Sequence, residues 1–171
     1  KFYGIEQAMK GGIGIAADAL DSEVIVAALA VVNAFGDVRD PNTGRILAGA
    51  RKDKNSREFV DTGELMRKGI CRPRSAFENT TVGVVVTNAK LHKQSASIVA
   101  TMAGLGMAKA LNPAHTLYDG DIVFVLASGE TEVDYHTVGL MAEQMLMRAI
   151  IRGVTTAREV KGIPSFLSLT Q

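Results

Sequence analysis

Blocks of apolar residues alternate with polar ones along the chain, and their spacing predicts strands and helices in turn. Residues 81–87 are Val-rich. Val is stiff at χ1 and packs well on a pleated surface, so this block predicts a buried strand. Glu23 to Phe35 is nearly all β-branched or small, which predicts a strand buried on both faces. Ile122 to Ala127, after the turn-forming Tyr118-Asp119-Gly120-Asp121, predicts another. Lys10 to Ala17 mixes glycine with small apolar residues in a spacing that fits no phosphate-cradling loop, so it predicts a strand whose backbone is closely approached. Asp40-Pro41-Asn42-Thr43-Gly44 is a turn, and Arg45 to Ala50 returns from it as the second arm of a hairpin.

Helical spacing takes over in two places. Lys93 to Leu111 places Ile98, Met102, Leu105 and Ala108 at helical intervals, and Asn112-Pro113 stops it. Gly104 and Gly106 within it point to close packing against a neighbour. Asp134 caps a second helix from Tyr135 to about Arg152, with Val138, Met141, Met145 and Ile150 toward the core and Gly153 near its end. Residues 51–78 are polar with mixed charges and read as a solvated loop, and Gly162 to Ser165 leads into an exposed tail. The alternation predicts a layered α/β domain with helices covering both sides of paired sheets.

Composition narrows the function classes. The 171 residues, 47% hydrophobic and 22% charged with a net charge of +1, suit one globular domain. They offer no electrostatic footprint for nucleic acid or an anionic membrane. The longest apolar run, Val24 to Val32, is too short to span a bilayer, and no signal peptide opens the chain. The single cysteine, Cys71, fits a reducing, cytoplasmic setting. His92, His115 and His136 fall in different segments without metal spacing, so no metal or cofactor is expected. Cys71 beside Arg72 and Arg74 lacks a positioned base, which makes it a poor nucleophile candidate.

The better candidate opens the Val-rich strand, at Asn79-Thr80-Thr81. Either the two threonines merely start the strand, or the chain is cut between Asn79 and Thr80. A cut would free an α-amine beside the Thr80 hydroxyl. Such an amine has a pKa of about 8, against about 10.4 for lysine, and serves as a base near neutral pH. A Thr hydroxyl with its own terminal amine as base is an activated nucleophile. Asn33, a lone amide ending an apolar run, either ties down the turn Gly36-Asp37 or donates to an oxyanion near Thr80. Asp119 and Asp121 are a turn signal, or two carboxylates projecting to one side of a strand mouth.

The run Asn79 to Asn88, followed by Ala89-Lys90-Leu91, resembles the self-cleavage site of the DmpA-like peptidase family, and the similarity continues through most of the chain. That family includes aminopeptidases of the D-/β-aminopeptidase type and endo-type 6-aminohexanoate-oligomer (nylon-oligomer) hydrolases. The resemblance implies a four-layer α/β/β/α sandwich like that of N-terminal-nucleophile hydrolases. It selects Thr80 over Thr81, because the family's nucleophile lies seven positions before the strand-ending Thr, here Thr87. It makes Asn33, in Val31-Val32-Asn33-Ala34, the oxyanion donor. Asn79-Thr80 and the Asp119-Gly120-Asp121 pair are similar to the nylon-oligomer branch, whereas the aminopeptidases usually cut before Ser and carry Ser-x-Glu. That branch also has a Lys near the position of Lys1.

The reading from sequence is therefore a self-processing amidohydrolase. Thr80 attacks an amide through an acyl-enzyme, Asn33 stabilises the oxyanion, and Asp119, Asp121 and Lys1 orient and tune the nucleophile. The resemblance implies that residues 1–171 form a single domain lacking an N-terminal part, with 1–79 ending the large subunit and 80–171 forming the small one. It implies a homotetramer and a small amide or oligoamide substrate, 6-aminohexanoate oligomers being the example. The alternatives are a D-/β-aminopeptidase-type enzyme, an acyltransferase of the self-cleaving ornithine acetyltransferase type, and a non-catalytic binding protein.

Overall fold

The computed structural model describes residues 2–21, 23–70 and 79–170. In chain order its elements are β1 (Ile13–Leu20), β2 (Val24–Asn33), β3 (Asp37–Arg39), β4 (Ile46–Ala48), α1 (Thr62–Arg67), β5 (Thr80–Ala89), α2 (Lys93–Ala110), β6 (Leu111–Asn112), β7 (Ile122–Thr131), α3 (Tyr135–Thr155) and α4 (Phe166–Thr170). The main sheet has the order β1-β2-β5-β7, and a smaller one the order β4-β3-β6. Pairing in the main sheet is antiparallel except between β5 and β7, which run parallel because α2 carries the chain back across one face.

Helices α2 and α3 pack on each other and on that same face of the main sheet. Val24, Val26, Ala28, Ala30 and Val32 of β2 are buried there, with Val85 and Ala89 of β5. Helix α3 contributes Val138, Met145, Leu146 and Ile150, so Asp134, whose carboxylate accepts the His136 N–H at 2.9 Å, caps the helix expected from the sequence. Glycines make the approach possible. A Cβ on Gly14 would collide with the Ala149 carbonyl, and one on Gly106 with the Glu143 carbonyl. Both are overlaps with backbone, which cannot move aside.

The opposite face of the sheet corrects the expectation of burial on both sides. Ile13, Ile15, Ile25, Val86, Phe124 and Leu126 are exposed on it. The main sheet thus carries a helix layer on one face and leaves the other face apolar and bare among the described residues. Three local differences follow from packing. The buried side of α2 is Val99, Ala103, Gly106, Met107 and Ala110, displaced from the Ile98/Leu105 stripe, because the small residues allow α3 to come close.

The polar region after residue 50 is not simply solvated. Arg51 is buried, giving its guanidinium to the carbonyls of Glu6, Lys54 and Ser56. Asp61 caps α1, and fully buried Asp37 accepts the Thr62 N–H at 2.7 Å and its hydroxyl at 2.9 Å. Burial pushes the Asp37 carboxyl up, against these hydrogen bonds and Arg39, which pull it down. The tail ends in α4 rather than trailing free, and Ser165 at its start is buried.

Candidate active site

Strand period separates the two threonines. Thr81 points under the helices and is fully buried, its hydroxyl finding no partner among the described residues. Thr80, one residue earlier, is half-buried on the open face of the sheet, where a substrate could reach it. Of the two threonines, Thr80 lies on the accessible side.

The antiparallel register sets Asn33 directly opposite Thr80. Directly opposed residues project to the same side with Cβ atoms about 4.5–5.5 Å apart. The side chain of Asn33, which ends the apolar run of β2, therefore starts from the same side of the sheet as that of Thr80. Upstream, a Cβ on Gly11 would collide with the Val32 carbonyl. Lys10-Gly11-Gly12 is thus pressed against the strand just before Asn33, as a closely approached backbone and not as a cradle for phosphate.

On the other side, the turn into β7 grips the start of β5. Asn79 pairs with Asp119 in a parallel bridge, and the Gly120 N–H donates to the Asn79 carbonyl at 3.0 Å. Asp121, its side chain 1% exposed, accepts the Thr81 N–H at 2.8 Å and the His115 N–H at 3.1 Å. Asp119 accepts the Phe35 N–H at 2.9 Å and the Thr116 hydroxyl at 2.8 Å. The two carboxylates thus hold the backbone around Thr80: Asp121 fixes β5, and Asp119 fixes the chain just past Asn33. The Thr80 hydroxyl donates to the Asn79 carbonyl at 2.6 Å.

Burial raises the Asp119 carboxyl above the ordinary aspartate value of 3.8, and the charge of Asp121 adds to the rise. The hydrogen bonds from Phe35 and Thr116 work against it. As pH falls, Asp119 takes up its proton earlier than a free aspartate would, and its grip as an anion is lost there. The Asp119 carboxyl is therefore expected to titrate above a free aspartate when followed by NMR, and Asp121→Asn, which removes the neighbouring negative charge, should move that titration to lower pH. A titration that stays in place would show that the charge of Asp121 does not contribute to the rise.

The sequence reading missed four contributors. Thr116 lies three residues before Asp119, a side-chain-capped turn spacing that carries the signal. His115, with a positive φ of 52°, shows itself only in the backbone. Phe35 stacks on Tyr118 with ring centroids 4.7 Å apart, joining the ends of β2 and the β7 turn. Lys1 lies outside the described residues, as do Cys71, Arg72 and Arg74. Among the described residues no cluster of His, Cys, Asp and Glu could hold a metal, and no helix is long and apolar enough to cross a membrane.

Comparison with known proteins follows the same lines. The model of Peptidase family S58 matches residues 4–165. An uncharacterized aminopeptidase of Mycobacterium tuberculosis (strain ATCC 25618 / H37Rv) is 36% identical over 183 residues, covering 93% of this chain and 52% of the relative. One of Mycobacterium leprae (strain TN) is 35% identical over 182 residues, covering 94% and 49%. The chain spans about half the length of these relatives. Among solved structures, a Burkholderia sp. beta-aminopeptidase superposes with a TM-score of 0.63 at 19% identity, covering 97% of this chain and 48% of that one. The L-aminopeptidase D-Ala-esterase/amidase of Ochrobactrum anthropi, described as a variant of the Ntn hydrolase fold, gives 0.57 at 17% identity, covering 88% and 42%. The mixed α/β fold is theirs.

Proposed function

The chain belongs to peptidase family S58, and on that premise we propose an aminopeptidase-type amidohydrolase that cuts itself between Asn79 and Thr80 and then uses Thr80 as an N-terminal nucleophile. The observation that carries the proposal is the placement of Thr80 on the open face, opposite Asn33, with its hydroxyl on the Asn79 carbonyl. In turnover the new α-amine takes the hydroxyl proton and Thr80 Oγ adds to the substrate carbonyl. The Asn33 amide holds the oxyanion, the amine leaves protonated, and water releases the acyl group.

The relatives' names support an aminopeptidase and lend no support to 6-aminohexanoate oligomers as substrate. The oligoamide reading keeps two residue-level features, Asn79-Thr80 and Asp119-Gly120-Asp121. The four-layer sandwich, in which a second sheet covers the bare apolar face, belongs to this proposal, as does a homotetramer of paired fragments.

Intact-mass measurement of the purified protein tests the cut. Two fragments meeting at Asn79/Thr80 are expected, and a single undivided polypeptide that hydrolyses amides at full speed ends the proposal. Comparing amide substrates with free and N-acetylated amino ends then separates the readings. Activity confined to free amines supports the aminopeptidase, and equal activity on blocked ones the endo-acting hydrolase.

A further inference from the structure

Resting on the self-cleavage reading, we infer that the backbone N–H of Gly120 is the oxyanion donor for the cut at Asn79-Thr80, distinct from the Asn33 amide that serves later substrates. The carbonyl under attack in that cut is that of Asn79. Its oxygen accepts the Gly120 N–H at 3.0 Å and faces the Thr80 hydroxyl at 2.6 Å. A donor already on the oxygen where charge develops, and fixed by strand pairing, needs no reorganisation during the reaction. The Asn79–Asp119 bridge holds it from one side, and the Asp121 carboxylate on the Thr81 N–H locks the next peptide from the other.

Residue 120 must also be small. A Cβ there would stand 3.0 Å from Thr80 Oγ1, tighter than ordinary van der Waals contact. Glycine lets the amide come up to the scissile peptide and leaves the hydroxyl room to turn onto the carbonyl carbon. In the step itself Thr80 Oγ bonds to the Asn79 carbonyl carbon and its proton passes to the Thr80 nitrogen. The C–N bond then breaks to leave an ester and a free amine. Water hydrolyses the ester, giving the Asn79 carboxylate and restoring the hydroxyl. The Gly120 N–H stays on the same oxygen throughout. The uncut site also holds the buried Asn79 Oδ1 without a partner among the described residues, a cost that departure of the new chain end relieves.

The test uses the full-length precursor with glycolic acid placed at position 120, which exchanges the N–H for an ester oxygen and alters no side chain. Its first-order processing rate is expected to fall by about 10²-fold, with circular dichroism and melting like the parent's. Processing of the ester variant at the parental rate overturns the inference. Asn33→Ala gives a reading that does not depend on the ester variant folding. It should divide at the parental rate, and if it fails to divide, the two donors are not separate. A parent that never divides sinks the self-cleavage reading itself, an outcome none of these variants imitates.

Discussion

Thr80→Ala is expected to remain one undivided polypeptide and to hydrolyse amides slower by on the order of 10⁴-fold or more. Two losses coincide in this variant. The hydroxyl that donates to the Asn79 carbonyl is gone, so the chain has no internal nucleophile at the scissile bond. Without the cut, the nitrogen of residue 80 stays an amide, which has no basicity at neutral pH, and the α-amine of pKa about 8 never appears. Thr80→Ser restores a hydroxyl at the same place and should restore both division and turnover in part. Thr81→Val is the informative companion. The Thr81 hydroxyl is buried with no partner among the described residues, so replacing it by a methyl of similar shape should leave activity intact and stability unharmed or improved. Mass spectrometry and initial rates on all three variants decide the matter. Parental activity in Thr80→Ala, or loss in a folded Thr81→Val, would move the nucleophile elsewhere.

That distinction shows where the sequence could be read and where it could not. β2, β5 and α3 were legible because each buries an apolar face, and burial imposes its spacing on the residues, whereas α2 was legible as a helix but not in the side it buries. Asn33 stood out as the lone amide ending an apolar run, and the Thr80 register followed from resemblance before strand alternation gave it a physical basis. Asp119 and Asp121 were legible as a pair but not in their task. Their partners, the N–H groups of Phe35 and Thr81, are backbone atoms present at every residue, so no sequence pattern marks them. The same is true of the Gly120 amide. The misjudged stretch after Arg51 failed for a related reason. Its order comes from charged side chains satisfied by carbonyls and from buried Asp37 bound to Thr62, where composition indicates solvent. The double-sided burial expected of β2 was a statement about neighbours, and the described residues cover only one face of that strand.

Asn33→Ala should lower kcat by about 10²–10³-fold with little change in KM, while the precursor still divides. The amide stands opposite Thr80 on the open face, where a substrate carbonyl approaching the hydroxyl would place its oxygen. A donor aimed at that position gains most when charge builds on the oxygen, so its removal costs the transition state more than the bound substrate. Division is spared because the Asn79 carbonyl has its own donor in the Gly120 N–H. Asn33→Asp removes a packing explanation. The carboxylate has almost the same shape, but when ionised it offers no N–H and sets a negative charge beside the developing oxyanion. It should therefore be at least as slow as the alanine variant. Steady-state kinetics on processed protein, with the melting temperature measured alongside, give the answer. An Asn33→Asp enzyme with parental kcat would show that this residue shapes the turn after β2 and leaves the oxyanion to some other group.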